Sequence, residues 1–211
     1  MEFFVTMTTR VPDGTSEAHV QNIRSLETLR SRELAAQGHL LRLWRPPLQP
    51  GEWRTLGLFA AYDGAALDAD LVSMPLRVWR TDEVTALTPH PNDPADRGRA
   101  GSPPLEAGAV EFLTRWILVI PEGTPPGAVD VLAVREAERA RQLAHQGHLR
   151  RLWGLPDEGR TLGLWRASDP AELHALLESL PMGAWLRTQT TPLTPHPNDP
   201  LVVGSGVGQS R

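Results

Sequence analysis

Two glutamates stand on helix faces that the sequence is expected to bury. The apolar stripes of the two longest predicted helices are formed by Val20, Ile23, Leu26 and Leu34, and by Val129, Leu132 and Leu143. Glu27 and Glu136 fall inside these stripes at helical spacing. Burying an ionised carboxylate without a partner is costly, so we expect a raised pKa or a paired cation. Such a carboxyl group suits general acid–base catalysis, and the alternative is a structural glutamate that reaches solvent or pairs with a nearby arginine.

A basic residue accompanies one of these glutamates but not the other. Arg24 precedes Glu27 by three residues, so the two side chains can meet on one helix face. Ala133 takes the corresponding place before Glu136. We therefore predict that Arg24 holds an anionic group of a substrate and that Glu27 matters more than Glu136.

An arginine and a tryptophan recur on the strand that follows each long helix. Strand alternation puts Leu41 and Leu43 on one face and Leu40, Arg42 and Trp44 on the other. The second copy has Arg151 and Trp153. An arginine beside an indole could line an anion-binding pocket. The alternative is an outward arginine that covers a tryptophan at a contact between the two copies.

Histidines follow the glycine that ends each long helix. His39 and His148 could act as bases or contact the substrate. A histidine near a helix C-terminus is also a common capping residue, which is the structural alternative.

The short Pro-rich tails each contain a histidine and an aspartate. His90 with Asp93, and His196 with Asp199, offer too few ligands for a metal site, so we expect no metal. We expect these TPHPNDP tails to lie against the opposite copy or a neighbouring chain, because their prolines disfavour central-strand pairing.

The whole chain is one module written twice. QGHLLRLW at 37–44 returns as QGHLRRLW at 146–153, and LTPHPNDP at 87–94 returns unchanged at 193–200. Such self-similarity decides the domain organisation before any other pattern. The predicted domains are two units at 2–94 and 111–200, a linker at 95–110 and a flexible tail at 201–211.

Each copy has the pattern of strands and helices of a split βαβ unit. A β-rich opening, a long helix, two strands, a short helix and a last strand follow in the order β-α-β-β-α-β. The predicted fold class is α+β, with two tandem ferredoxin-like βαββαβ units packed as a pseudo-dimeric α/β barrel. In that packing, we expect some of Phe3, Phe4, Phe112 and Trp116 to be buried between the two units.

The composition excludes several classes of function. The net charge is −4, which gives no reason to expect a nucleic-acid partner. The chain has no cysteine, so thiolate chemistry and disulfides are excluded. No apolar run is long enough to span a membrane. We expect a cytoplasmic protein with a small-molecule substrate, present as an intramolecular pseudo-dimer that could assemble further.

Both copies resemble the muconolactone Δ-isomerase family. The matching stretches are FFVTMTTRVP at the start, GHLLRLWR and GHLRRLW after the long helices, ELHALLESLP in the second copy, and the closing LTPHP. The resemblance implies ferredoxin-like subunits, no cofactor, and a proton moved within an unsaturated lactone. It implies that the pocket carboxylates are Glu27 and Glu136, the nearby cation Arg24, and the other substrate-binding residues Trp44, Arg45 and Trp153. Ala133 and Gly154 depart from this pattern in the second copy.

The resemblance and the buried glutamates together favour a cofactor-independent isomerase or cyclase. The fused and diverged copies leave the substrate open, because an asymmetric chain can build two different pockets. Two alternatives remain: a cofactor-free oxygenase of the dimeric α/β-barrel type, and a non-catalytic module that binds a small molecule.

Overall fold

The computed structural model describes residues 1–97, 108–157 and 159–205, which form two compact units. The first unit contains Met1–Leu87 and the chain from Thr194 onwards, and the second contains Thr88–Leu193. The last residues of each sequence repeat therefore belong to the compact unit that the other repeat forms. The expectation that the TPHPNDP tails lie against the opposite copy is confirmed.

The first unit contains the predicted order of elements. Its strands and helices are β1 (Glu2–Thr9), α1 (Glu17–Ala36), β2 (Leu40–Arg45), β3 (Arg54–Ala60), α2 (Gly64–Ser73) and β4 (Arg80–Pro89), with a 3₁₀ turn at Pro75–Trp79 before β4. The strands are antiparallel in the order β4-β1-β3-β2. This is the ferredoxin-like arrangement, so the predicted α+β fold class is confirmed for this unit.

The second unit repeats the arrangement. Its elements are β5 (Val110–Leu118), α3 (Pro126–His145), β6 (Leu149–Gly154), β7 (Arg160–Ala167), α4 (Pro170–Glu178) and β8 (Leu186–Pro195), with a 3₁₀ turn at Gly183–Trp185. The antiparallel strand order is β8-β5-β7-β6. The predicted packing of the two units sheet to sheet stays a prediction.

The segments outside the two repeats differ in part from expectation. Most of the predicted linker lies outside the described residues, although Pro94–Arg97 forms a 3₁₀ turn. The predicted flexible tail begins within a short helix, α5 (Pro200–Ser205), and its remaining residues, 206–211, lie outside the described residues. No helix in the described ranges is long and apolar enough to cross a membrane.

The long helix α1 begins and ends where its capping residues predict. The Ser16 hydroxyl accepts a hydrogen bond from the backbone N–H of His19, which satisfies one free donor of the first turn. Gly38 follows the helix with φ of 77°, a left-handed conformation that glycine adopts without strain. These two caps fix the start and the end of the helix that carries Glu27.

Each unit packs its helices on its own apolar core. The core of the first unit includes Phe3, and that of the second unit includes Phe112 and Trp116. These three side chains face the helices of their own unit, whereas Phe4 is buried but belongs to neither core. The expectation that some of the four aromatic residues are buried between the units stays a prediction. Leu26 was misassigned to the buried stripe of α1, since 43% of its surface is exposed.

A β-bulge in β2 changes the predicted alternation of that strand. The pairing with β3 shifts register between Leu40 and Arg42. An extra residue at this place brings Leu40 and Leu43 into the same core, although simple alternation put them on opposite faces. Arg42 and Trp44 remain on one face, as predicted, with the guanidinium 4.6 Å from the indole centre.

Candidate active site

The first unit encloses a cavity of about 140 Å³ beside α1. The walls come from α1, the central strands, the 3₁₀ turn before β4, and the tail after β8. The charged and aromatic residues of the lining are Arg24, Glu27, Arg45, Trp53, Arg80 and His196. The structure therefore brings Glu27, Arg24 and Arg45 together, as the sequence predicted.

Glu27 is buried and receives two hydrogen bonds in this cavity. Its Oε2 accepts from the backbone N–H of Leu76 at 2.8 Å, and its Oε1 accepts from Arg80 Nη1 at 3.0 Å. Burial raises the pKa of Glu27 above its ordinary value, although the Leu76 N–H and the Arg80 charge act in the opposite direction. Both expected responses to burial, a raised pKa and a paired cation, are present together.

Arg80 is the cation that pairs with Glu27, and sequence reasoning missed it. The Arg80 side chain is 2% exposed and also pairs with Asp82, with Nε 2.7 Å from Oδ1. Its Nη2 donates to the carbonyl of Leu71. This network fixes the guanidinium against the glutamate. The sequence difference that points to this residue lies at the start of the last strand of each copy. The first residue of β4 is Arg80, and the corresponding residue of the second copy is Leu186.

Arg24 lines the cavity but does not pair with Glu27 in the described structure. Its guanidinium carbon instead lies 5.3 Å from the centre of the Trp53 ring, a cation–π distance. Arg24 and Arg45 are both exposed, so they stand at the entrance of the cavity. Their charge can meet an anionic group of a ligand while the carboxyl of Glu27 lies deeper.

His196 enters this cavity from the tail of the second repeat. Burial, with the nearby charges of Arg45 and Arg24, lowers the pKa of His196 to about 4, so the ring is neutral at pH 7. Its Nδ1 accepts from the backbone N–H of Asn198, which leaves the proton on Nε2. The Asn198 side chain in turn donates to the Thr28 hydroxyl on α1. Sequence reasoning had considered His196 only as a metal ligand or a docking residue.

The second unit has a larger cavity at the equivalent place. Its volume is about 680 Å³. Glu136 lines it and accepts a hydrogen bond from the backbone N–H of Met182 at 2.9 Å. Burial raises the pKa of Glu136 above its ordinary value. Glu136 thus corresponds to Glu27, as predicted, but no cation pairs with it among the described residues.

Three basic positions of the first cavity are lost in the second. Counting along the repeats, Leu186 replaces Arg80, Ala133 replaces Arg24 and Gly154 replaces Arg45. All three replacements line the second cavity. The prediction that the two sites differ is confirmed, and the difference is one of charge and size.

Arg42 and Arg151, predicted to bind substrate, hold the tails instead. The Arg42 guanidinium pairs with Asp199, Nη2 to Oδ2, at 3.1 Å, and Arg151 pairs with Asp93 at the same distance. Each aspartate also accepts from a backbone N–H of the neighbouring strand. Each guanidinium stacks 4.6 Å from the centre of the adjacent ring, Trp44 or Trp153. None of these four residues lines either cavity. Their contacts with the tails and with each other give them a structural role.

His39 and His148 also lie apart from both cavities. His39 Nδ1 is 2.9 Å from Asp70 Oδ2 on α2, and His148 Nδ1 is 3.0 Å from the carbonyl of Arg166. These contacts join the end of each long helix to its own unit. The structure therefore gives no support to the predicted role of both histidines in substrate binding. The capping alternative fits their positions, because their backbone N–H groups donate to Leu34 and Leu143 in the last turns of the helices, both at 2.9 Å.

Comparisons with known proteins relate both repeats to one family. A family model described as Muconolactone delta-isomerase matches residues 1–93 and 110–199. The chain is 30% identical to the muconolactone Delta-isomerase of Cupriavidus pinatubonensis over 87 residues, which cover 41% of this chain and 95% of that protein. It is 29% identical to muconolactone Delta-isomerase 1 of Acinetobacter lwoffii, over 41% of this chain and 91% of that protein.

A solved structure covers both units at once. A heme-binding protein from Thermus thermophilus superposes with a TM-score of 0.56 and 13% identity, over 99% of this chain and 96% of that one. This likeness shows the fold alone. The family match covers most of the chain in two tandem segments, each of which folds as one ferredoxin-like set of strands and helices. The chain belongs to the muconolactone delta-isomerase family and carries the family's unit twice.

Proposed function

We propose that this protein is an isomerase that moves a proton within an unsaturated lactone or a related carbonyl compound, with Glu27 as the group that carries the proton. The observation that carries the proposal is the buried Glu27 carboxylate, held by Arg80 and Leu76 in a cavity with basic residues at its entrance. Family membership supports the reaction class.

The proposed reaction needs only one proton carrier. The Glu27 carboxylate removes a proton from a carbon α or γ to the substrate carbonyl, and the C–H electron pair moves into the conjugated system as an enolate. Glu27 then returns the proton at the other carbon, the double bond shifts, and the carboxylate is restored. Substrate and product are isomers, so no oxidant, reductant or cofactor enters the balance. General acid–base catalysis of this kind accelerates a reaction by on the order of 10²- to 10⁴-fold.

The surrounding residues have separate roles in this proposal. Arg80 holds the carboxylate in place and lowers its pKa against the effect of burial, so Glu27 can lose its proton again. Arg24 and Arg45 at the entrance bind a carboxylate of the substrate. Neutral His196, with its proton on Nε2, can donate a hydrogen bond to the enolate oxygen. Glu136 is a second proton carrier, and we expect it to contribute less because no cation of the described residues holds its carboxylate.

Separate and combined substitutions test this assignment. We expect Glu27→Gln to lower kcat on muconolactone by on the order of 10²-fold or more, because the amide cannot accept the proton. Glu136→Gln is the matched control, since it makes the same change in the equivalent place of the other unit. Full turnover by the double variant would exclude a carboxylate mechanism.

An anaerobic assay separates the proposal from its oxygenase alternative. Proton transfer does not consume O₂, so we expect the same rate with and without oxygen. Loss of turnover under strict anaerobiosis would instead favour a cofactor-free oxygenase. Bound ligand that is recovered unchanged after long incubation would favour a binding module, and ring closure in the product would favour a cyclase.

A further inference from the structure

The second cavity has lost the charges that would bind an anion but has kept its carboxyl group. We infer that this cavity binds an uncharged, mainly aromatic molecule that carries one hydrogen-bonding oxygen, with Glu136 as the polar contact. The inference goes beyond the proposed function, because it concerns a different cavity and does not depend on catalysis by Glu27.

The size of the second cavity suits a molecule of more than one ring. Its volume is about 680 Å³, against about 140 Å³ for the first cavity. Binding sites for small molecules have volumes of roughly 300–1,000 Å³. The extra space follows from small residues at equivalent positions: Gly159 replaces Trp53, and Ala140 replaces Ser31. The repeat has therefore exchanged bulky or polar walls for open apolar space.

The charged groups around the second cavity do not favour an anion. Arg160 and Asp157 line it, but they pair with each other at 2.8 Å and are both more than half exposed. Burial lowers the pKa of His90, so its ring is uncharged near neutral pH. Desolvating a ligand carboxylate here would be costly, because no buried cation of the described lining compensates for it.

Glu136 provides one directed polar contact in a lining whose other polar side chains are those of His90, Asn92, Asp157, Arg160 and Thr161. Its Oε2 accepts from Met182, and no further hydrogen bond or ion pair of its carboxyl group is present in the described ranges. Because burial raises the pKa of Glu136, its protonated form is favoured relative to an exposed glutamate. A protonated carboxyl can donate a hydrogen bond to a ketone, quinone or phenol oxygen.

Two tryptophans make part of the wall suitable for an aromatic ligand. Trp116 and Trp165 both line the cavity, with ring centres 5.9 Å apart and planes inclined at 56°. The Trp165 indole N–H already donates to the Thr114 hydroxyl at 3.0 Å. Trp165 therefore offers the ligand apolar ring surface without leaving its own donor unsatisfied.

Two probes of similar shape and different charge test the inference. Equilibrium dialysis of the full chain near neutral pH would compare neutral 2-acetylnaphthalene with anionic 2-naphthoate. Ala137→Phe fills the second cavity, so the binding that it removes is the binding to that cavity. We expect this binding to be at least about tenfold tighter for the neutral probe than for the anion, and Ala137→Phe to weaken the binding of the neutral probe by about tenfold. Thr28→Phe is the matched control, because it places the same ring at the equivalent position of the first unit and should leave this affinity unchanged.

A charge-restoring variant gives a second measurement. Leu186→Arg returns the cation of the first cavity, so we expect it to shift the preference toward 2-naphthoate by about tenfold or more. Thermal unfolding checks that each variant folds, and Ala137→Leu replaces Ala137→Phe where the larger ring unfolds the unit. Equal affinity of both probes for the binding that Ala137→Phe removes, or loss of the neutral probe in Thr28→Phe but not in Ala137→Phe or Ala137→Leu, would overturn the inference. Glu27→Gln separates this result from the proposed function, since it should abolish turnover and leave probe binding unchanged.

Discussion

Glu27 Oε1 lies 3.0 Å from Arg80 Nη1, and both side chains are buried. The second copy of the same unit keeps the glutamate, as Glu136, and replaces the arginine with Leu186. One chain thus carries two versions of the same site, one with a paired carboxylate and one without a cation among the described residues. The two units serve as internal controls for each other, since the helix and its hydrogen bond from the turn before the last strand are present in both.

Arg80 is expected to set the pH range in which the first site is active. Arg80→Leu removes the positive charge that lowers the pKa of Glu27, so that pKa should rise further. A base with a higher pKa is ionised only at higher pH, so the acidic limb of the profile of kcat/KM should move to higher pH. Kinetics across pH measure this shift. Arg77→Leu is the control, because Arg77 pairs with Asp82 and not with Glu27; an unchanged acidic limb in Arg80→Leu would contradict the assignment.

Glu136 is expected to make the protein less stable as pH rises. Burial raises its folded-state pKa above the ordinary value of 4.5, so the folded state binds more protons than the unfolded state in the window above that value. The contribution of Glu136 to the free energy of unfolding is therefore fully present below pH 4.5 and is lost as pH rises through the raised pKa. Glu136→Gln should gain stability relative to the unmodified chain at pH above this window, but not below it. Urea unfolding at several pH values measures the difference in the free energy of unfolding between the variant and the unmodified chain. A difference that stays constant at all pH values would count against this role of Glu136.

The tail of each repeat is expected to depend on one buried aspartate. Asp199 is fully buried, pairs with Arg42 and accepts from the backbone N–H of Leu43. Removing one partner of a buried ion pair costs about 3–5 kcal/mol, so Asp199→Ala should lower the free energy of unfolding by about that amount. Asp157→Ala removes an exposed partner and should change stability little. Denaturant unfolding provides the comparison, and equal effects of both substitutions would show that the tail is not held in this way.

The fold and the two glutamates could be predicted because their signals are local or repeated. Helical spacing placed Glu27 on a buried face, and the second copy repeated the pattern with Glu136. Ser16 and Gly38 marked the ends of the helix within a residue of their observed positions. These features depend on neighbours along the chain or on a comparison of the two copies.

The rest of the site depends on contacts between distant residues, which spacing alone does not reveal. Arg80 is 53 positions from Glu27, and Asp199 is 157 positions from Arg42. The prediction therefore paired Glu27 with Arg24, a basic residue three positions before it, and left Arg42 available for substrate. His196 was missed because it reaches the first cavity from the end of the other repeat.

The most direct test of the central claim follows the proton itself. Muconolactone is incubated in D₂O with the unmodified chain, with Glu27→Gln and with Glu136→Gln, and NMR records deuterium at the carbons α and γ to the carbonyl. The carboxyl group that has taken up the substrate proton can exchange it for deuterium from D₂O before the second transfer. Deuterium then appears at the carbon that receives the proton. The account predicts deuterium incorporation by the unmodified chain and by Glu136→Gln, and a loss of on the order of 10²-fold or more in Glu27→Gln. Incorporation by a folded Glu27→Gln at the rate of the unmodified chain would contradict it.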